Sequence, residues 1–272
     1  MTKKKRTWIF TLLALLIAAL HISPFYIMIN MSLKTLSDRS SRWMPALHPH
    51  FENYVTAMEH GNLMSAMWNT FQITALSVII IVVAGAMAAY PLARKASRKN
   101  QIILTFIVGV MMVPQLSILV PLYKEMDTLK GINKLWGIVI VSATFHLPMA
   151  IYMYSNFIRS IPKELDEAAM IDGCSRMQAF FQVILPCLKS TTVSVIILNG
   201  VGIWNDYQFQ LYFLQKPAMR TITLAISTFF TDSKQDLGAA AAAAFIVVLP
   251  PVLIYIFLQK YFVKGAMDSA VK

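Results

Sequence analysis

The sequence predicts an all-α membrane protein with six transmembrane helices, on three observations. The first is composition. Of 272 residues, 57% are hydrophobic and 14% charged, against about 45–50% and about 25% in a soluble domain. The second is the presence of six apolar runs near the roughly 20 residues that a helix needs to cross hydrocarbon. The third is the distribution of the net charge of +11. The cations fall in short clusters between the runs, such as Lys3-Lys4-Lys5-Arg6 and Arg94-Lys95 with Arg98-Lys99. That is the pattern of topology signals next to lipid, not of a phosphate-binding stripe, so nucleic acid is not an expected partner.

The first span is expected over 8–29. Its basic start resembles a secretory signal, but its apolar stretch is longer than a signal core and His21-Ile22-Ser23-Pro24 offers no small-x-small cleavage site. An uncleaved anchor is the expectation. The next three spans are placed at 68–93, 102–123 and 135–157. The fifth, 191–211, is the weakest, because Asn199, Gly200, Gly202, Asn205 and Asp206 interrupt it. The sixth, 238–262, opens with Gly238 and the run Ala239–Ala244; small residues let helix backbones approach closely in lipid. Trp8, Trp43, Trp68, Trp136 and Trp204 lie near expected span ends, where amphipathic rings favour the interface. The whole chain, 1–272, reads as a single transmembrane domain.

Six spans divide the connections into two sets. The termini with 94–101 and 158–190 carry 15 Lys and Arg, Lys260 counted in the tail, against nine in the other set. The richer, shorter set belongs in the cytoplasm. Both termini and the segment 160–186 are therefore expected inside, in a multi-pass membrane protein.

That segment, SIPKELDEAAMIDGCSRMQAFFQVILP, is too polar to span and too regular for a simple connector. Pro162 suits a first helical turn. Glu164, Asp166 and Glu167 crowd the turn, where the helix dipole favours negative charge. Gly173 can take the positive φ that stops a helix. A second helical stretch is expected with Met177, Phe180, Phe181 and Ile184 on one stripe, and Pro186 opening the fifth span. A helix of about ten residues is marginal alone in water. A surface-lying helix on anionic lipid would carry a basic polar face. This one is mostly acidic, which favours a protein partner.

The spacing Glu167-Ala168-Ala169, three residues, Gly173, nine residues, Val183, one residue, Leu185-Pro186 resembles the EAA loop of ABC-importer permeases, with Val183 where isoleucine is usual. Tyr90-Pro91-Leu92-Ala93-Arg94, Val113-Pro114, Pro121-Leu122-Tyr123 and Ile203-Trp204-Asn205-Asp206 extend the likeness to carbohydrate-importer permeases of the MalG type, similar to those of multiple-sugar and raffinose-type systems. The resemblance implies the type I importer permease fold. It further implies that Glu164, Glu167, Ala168, Ala169, Asp172, Gly173 and Pro186 belong to a coupling element that docks on a separate ATPase. The partners so implied are a second permease subunit, forming a heterodimer, two cytoplasmic ABC ATPases and an extracytoplasmic sugar-binding protein. ATP and Mg would be held by the ATPase; the chain lacks a G-x-x-x-x-G-K-[ST] loop, and no cofactor is expected in it.

Polar groups inside spans are costly and often functional. Gln115, Asn199, Asn205 and Asp206, with Trp204 as a stacking surface, are therefore candidates for a sugar path. Helix–helix hydrogen bonding accounts for each of them equally simply.

Three other classes fit less well. An enzyme needs convergent catalytic groups, and neither His21 nor His146 belongs to an H-E-x-x-H pair; no catalytic residue is assigned. His48, His50 and His60 lack the cysteines or acidic cluster of a metal site, and no metal ligand is assigned. A secondary transporter would show ion-coupling acids in mid-span or an inverted repeat, and neither is visible. An ABC importer for another solute would share the coupling loop but not the wider likeness. Cys174 and Cys187 have no metal or disulfide spacing and are expected reduced.

Overall fold

The computed structural model describes residues 3–231 and 236–270, with side chains described for 8–59, 61–230 and 236–260. The basic cluster at 3–6, His60 and the C-terminal tail therefore lie outside the described side chains. Among the described residues every regular element is helical. They are α1 (Lys3–Ser32), α2 (Glu52–His60), α3 (Leu63–Arg94), α4 (Arg98–Val110), α5 (Leu119–Thr128), α6 (Leu135–Ser160) and α7 (Glu164–Ile171). After these come α8 (Arg176–Ala179), α9 (Leu185–Cys187), α10 (Lys189–Trp204), α11 (Gln208–Phe213), α12 (Ile222–Thr231) and α13 (Leu237–Ala270). Short 3-10 turns cover Gln115–Ile118 and Pro217–Met219, and a π-helical turn covers Phe180–Ile184.

Four helical stretches have the length and apolarity to cross a membrane: Trp8–Ser32, Leu63–Arg94, Leu135–Ser160 and Leu237–Lys260. They contain the expected first, second and fourth spans, and the last of them covers residues 238–260 of the expected sixth. The third and fifth need correction. The third is not one helix but the pair Arg98–Val110 and Gln115–Thr128, bent by 91°. Pro114 causes the break, since it has no N–H to donate and its ring drives Val113 out of the helical region. The fifth has α10 as its core, and the preceding helix Arg176–Cys187 meets α10 at 74°. Pro186 sits inside α9 rather than opening the span, and Leu188 (φ −81°, ψ 4°) makes the corner. Counting each bent pair once gives up to six crossings.

The chain forms two compact units. One comprises residues 1–65 and 224–250. Here the segment after α1 is ordered by side chains that cap backbone. Asn53 Nδ2 donates to the carbonyls of Ser32 (2.9 Å) and Lys34 (2.8 Å). Asn30 donates to the carbonyls of Arg42 (2.7 Å) and Met44 (2.6 Å) and accepts from the Ala46 N–H (2.9 Å). The buried Lys34 ammonium donates to Ser40 Oγ at 2.6 Å and the Ser41 carbonyl at 2.8 Å. Ala239, Ala240, Ala242 and Ala243 are buried, as the small-residue run suggests. At Gly238 a Cβ would lie 2.6 Å from Asn53 Nδ2, so the start of α13 passes against that cap.

The other unit comprises residues 66–223 and 251–272. Its core is α6 packed between α3 and α10. Gly85 of α3 would place a Cβ 3.1 Å from Ala150, and Gly202 of α10 would place one 2.9 Å from His146 Nε2. Tyr154, fully buried in α6, donates to Thr192 Oγ1 of α10 at 3.1 Å. Ser77 Oγ of α3 donates to the Val139 carbonyl of α6 at 3.2 Å. In lipid such close packing and hydrogen bonding replace the hydrophobic effect as the cause of helix association.

Candidate functional site

The segment between α6 and α10 builds the most distinctive feature of the second unit. Helix α7 begins two residues after Pro162, with Lys163 as its N-cap residue, so Pro162 precedes the helix rather than occupying its first turn. Glu164, Asp166 and Glu167 do occupy that turn. Gly173 stops the helix with φ +88°. The Cys174 N–H donates to the Ala169 carbonyl (3.0 Å) and the Gly173 N–H to the Met170 carbonyl (3.1 Å), the paired bonds of a Schellman ending. Helix α8 then starts from a capping box: Ser175 Oγ accepts from the Gln178 N–H, and Gln178 Oε1 accepts from the Ser175 N–H at 2.8 Å.

Of the acids on α7, only Asp166 turns inward. It is 7% exposed, and it is held by two residues at the far end of α3. Tyr90 Oη donates to Asp166 Oδ1 at 2.5 Å, and Arg94 Nη2 lies 2.6 Å from Asp166 Oδ2. Arg94 Nη1 also donates to the carbonyls of Ile158 (3.0 Å) and Ile161 (2.7 Å). Those carbonyls end α6, where a cation is favoured by the helix dipole. One guanidinium thus joins the ends of α3, α6 and α7. The Tyr90 ring packs on Phe180 (centroids 5.1 Å), and Phe180 packs on Phe181 (5.0 Å). Sequence reasoning placed Asp166 in the crowded turn but not among the coupling residues, named Tyr90 only within a motif, and named Arg94 only there and in a basic topology cluster.

The expected coupling residues divide by exposure. Ala169 is buried against the unit, while Glu164, Glu167, Ala168, Asp172, Gly173 and Pro186 are exposed. Beside the carboxylates, α7 exposes Leu165 (40% exposed), Met170 (42%) and Ile171 (86%). At 3.6 residues per turn, Ile171 lies with Glu164, Glu167 and Ala168 opposite the buried Asp166 and Ala169, and Leu165 and Met170 flank that face on either side. The anticipated stripe of Met177, Phe180, Phe181 and Ile184 is split: Phe180 and Ile184 are buried, Met177 and Phe181 exposed. A π turn widens the helix over Phe180–Ile184, within this stripe.

The candidate path residues are not gathered into one polar chamber. Gln115 is exposed at the bend after Pro114. Asn199 is 2% exposed and spends its amide on the Val195 carbonyl of its own helix, at 2.8 Å. Asn205, exposed, does the same with Val201 at 2.9 Å. Trp204 is 6% exposed and lines a cavity of about 190 Å³ walled by apolar side chains such as Phe71, Ile197 and Ile254. Asp206 Oδ1 accepts from the Phe209 N–H (3.4 Å), and its backbone carbonyl accepts from Thr223 Oγ1 (2.8 Å). Nearby, the fully buried Gln210 was not singled out from sequence. Its Oε1 accepts from Thr221 and from Thr223 (3.2 Å), and its Nε2 donates to the Ile203 carbonyl (3.3 Å). His50 Nε2 lies 3.4 Å from Glu52 Oε2, and His48 is exposed. Cys174 and Cys187 are both free thiols.

An all-helical unit with bent crossings and a braced helix outside them is the fold of an ABC-importer permease. A chain of the bacterial ABC transporter involved in the import of the acidic polysaccharide alginate superposes with TM-score 0.81 at 18% identity, over 96% of this chain and 99% of that one. The family described as "Binding-protein-dependent transport system inner membrane component" matches residues 81–267, and the chain belongs to it. Its relatives include the melibiose/raffinose/stachyose import permease protein MelC of Bacillus subtilis, 39% identical over all of this chain and 98% of that protein. A probable starch degradation products transport system permease protein, AmyC of Thermoanaerobacterium thermosulfurigenes, is 32% identical over 97% of each. The multiple sugar-binding transport system permease protein MsmG of Streptococcus mutans is 28% identical over 92% of this chain and 91% of that one.

Proposed function

We propose that the chain is one permease subunit of an ATP-driven sugar importer, and that α7 is the element through which a separate ATPase drives it. The observation that carries the coupling reading is the exposed face of α7, with Glu164, Glu167 and Ile171, fixed from behind by the pair of Arg94 and Asp166. An eight-residue helix does not hold itself in water. Tied to the ends of α3 and α6, it can pass a displacement to both as a rigid body. Its exposed carboxylates and Ile171 suit a groove in a soluble protein. The family's dependence on a binding protein supports an extracytoplasmic partner that delivers solute. The substrates for which these relatives are named support sugars or oligosaccharides as the solute.

In this scheme ATP and Mg reside on two copies of the ATPase, and a second permease subunit completes the pathway. The spans alternate between inward-open and outward-open states because ATP and loaded binding protein each favour a different state. Both termini and α7 face the cytoplasm. Gln115, Asn199, Trp204, Asn205 and Asp206 remain candidates for the path; Trp204 would first need uncovering by movement.

Two measurements test this. Cys174 and Cys187 are the chain's two cysteines, and both lie within the α7–α9 segment. A membrane-impermeant maleimide should label them in inside-out vesicles and not in intact cells. Uptake of a labelled α-galactoside oligosaccharide into proteoliposomes should require the ATPase, ATP and the binding protein together. Labelling from outside, or uptake with the ATPase omitted, overturns the coupling assignment. ATP-driven uptake of a different solute class, with the same labelling, overturns only the sugar assignment.

A further inference from the structure

A polar cavity of about 570 Å³ opens where α3 ends, α4 begins and α6 ends. Its wall includes Arg94, Lys95, Arg159 and Lys163, together with Asn100 and Gln101, and no Asp or Glu lines it. Arg94 is committed to Asp166 and to the α6 carbonyls. Asn100 Nδ2 is committed to the carbonyls of Pro91 and Lys95, at 2.9 Å each. Lys95, Arg159 and Lys163 form none of the ion pairs found among the described residues. Lys95 from the α3–α4 connection and Arg159 and Lys163 from the end of α6 and the connection after it thus line one concavity that no carboxylate lines.

Repulsion among them is tolerable on an open surface but unfavourable around a shared cavity, unless an anion occupies it. The location narrows the chemistry. The three helix ends mark the boundary between apolar spans and polar connections, the level at which lipid phosphates lie and at which basic pockets between spans attract anionic headgroups. Lys and Arg can reach that level with their aliphatic stems still in the apolar layer. Arg98 and Lys99, exposed on the first turn of α4, add to the positive field without lining the cavity.

We propose that this cavity binds a phosphate-bearing anion, and that its position favours the headgroup of an anionic phospholipid over free phosphate. Occupancy would offset part of the charge of the three cations and tie the α3–α4 and α6–α7 connections, which frame the Arg94 brace, to the bilayer.

The test uses the whole importer complex purified in mild detergent. Retained phosphatidylglycerol is counted by mass spectrometry of extracted lipid after exhaustive washing. The variants are Lys95→Gln/Arg159→Gln/Lys163→Gln and, keeping charge, Lys95→Arg/Lys163→Arg. The expected result is a several-fold loss of retained phosphatidylglycerol in the first and native retention in the second. In a parallel arm, thermal stability of the delipidated complex is read with inorganic phosphate alone or with phosphatidylglycerol micelles. A shift with the lipid alone assigns the headgroup; a shift with inorganic phosphate in the wild type but not the neutralised variant assigns a soluble phosphate. Equal lipid retention and equal shifts in wild type and neutralised variant overturn the proposal. So does loss of the ATPase from the neutralised complex with lipid retention unchanged, which would make these cations a protein contact. Should the triple variant fail to assemble, the single variants Arg159→Gln and Lys163→Gln are read the same way.

Discussion

Arg94 and Asp166 stand 72 residues apart in the chain and 2.6 Å apart in space, both largely removed from water. Removing one partner of such a pair strands the other charge, which typically costs about 3–5 kcal/mol. Asp166→Ala and Arg94→Ala should each lower the thermal stability of the assembled complex and, more sharply, the ratio of solute imported to ATP hydrolysed. The double variant Arg94→Met/Asp166→Leu should be less destabilised than the sum of the singles. Strict additivity in that cycle would mean the pair does not act as a brace.

Gly173 sits at φ +88° with open space around its Cα. The penalty for a side chain there is backbone strain alone, on the order of 1–2 kcal/mol. Gly173→Asp should therefore insert and assemble normally while ATP-driven uptake falls at least tenfold. Gly173→Asn, better able to adopt the left-handed region, should fall less. Equal uptake by wild type and Gly173→Asp would remove the case for α7 as the drive element.

Gly202 should fail for the opposite reason. A Cβ there meets His146 Nε2 at 2.9 Å, and His146 Nδ1 is already pinned to the Ser142 carbonyl at 2.9 Å. Gly202→Leu should cost about 1–3 kcal/mol by overpacking the α6–α10 contact. His146→Ala in the same chain should restore much of the lost melting temperature. No rescue would place the clash elsewhere.

Gln210 and Asn205 offer a contrast between a buried network and an exposed self-contact. Gln210→Leu leaves the Thr221 hydroxyl without its Gln210 acceptor, while Thr223 keeps the Asp206 carbonyl, at roughly 1–3 kcal/mol. Asn205→Ala loses only a bond to its own helix and should stay within about 0.5 kcal/mol in stability. If Asn205→Ala nevertheless raises the KM for solute, Asn205 belongs to the path. An unchanged KM removes it.

Much of this fold was legible in one dimension because lipid enforces a simple rule on long apolar runs. Leu63–Arg94 and Leu135–Ser160 were recognisable as spans for that reason. The 91° bend at Pro114 was less so: proline marks where a helix can break, while the angle depends on what the two halves pack against. The ending of α7 at Gly173 was also readable, since it rests on local backbone chemistry. Which carboxylate turns inward was not. Glu164, Asp166 and Glu167 are equivalent in the turn until Tyr90 and Arg94 arrive from α3 to choose one. Gln210 escaped notice because its partners, Thr221 and Thr223, lie beyond a turn that sequence alone does not fold back.

The widened turn over Phe180–Ile184 has a bearing on which length changes this region can absorb. An ordinary helix that loses one residue rotates everything beyond the cut by about 100° and ruins its packing. Here the surplus residue is already present as a bulge, so excising one position from 181–183 can be taken up by tightening that loop of backbone, leaving Leu185 onward in phase. Single-residue deletions should be survivable at this spot and lethal one turn into α10.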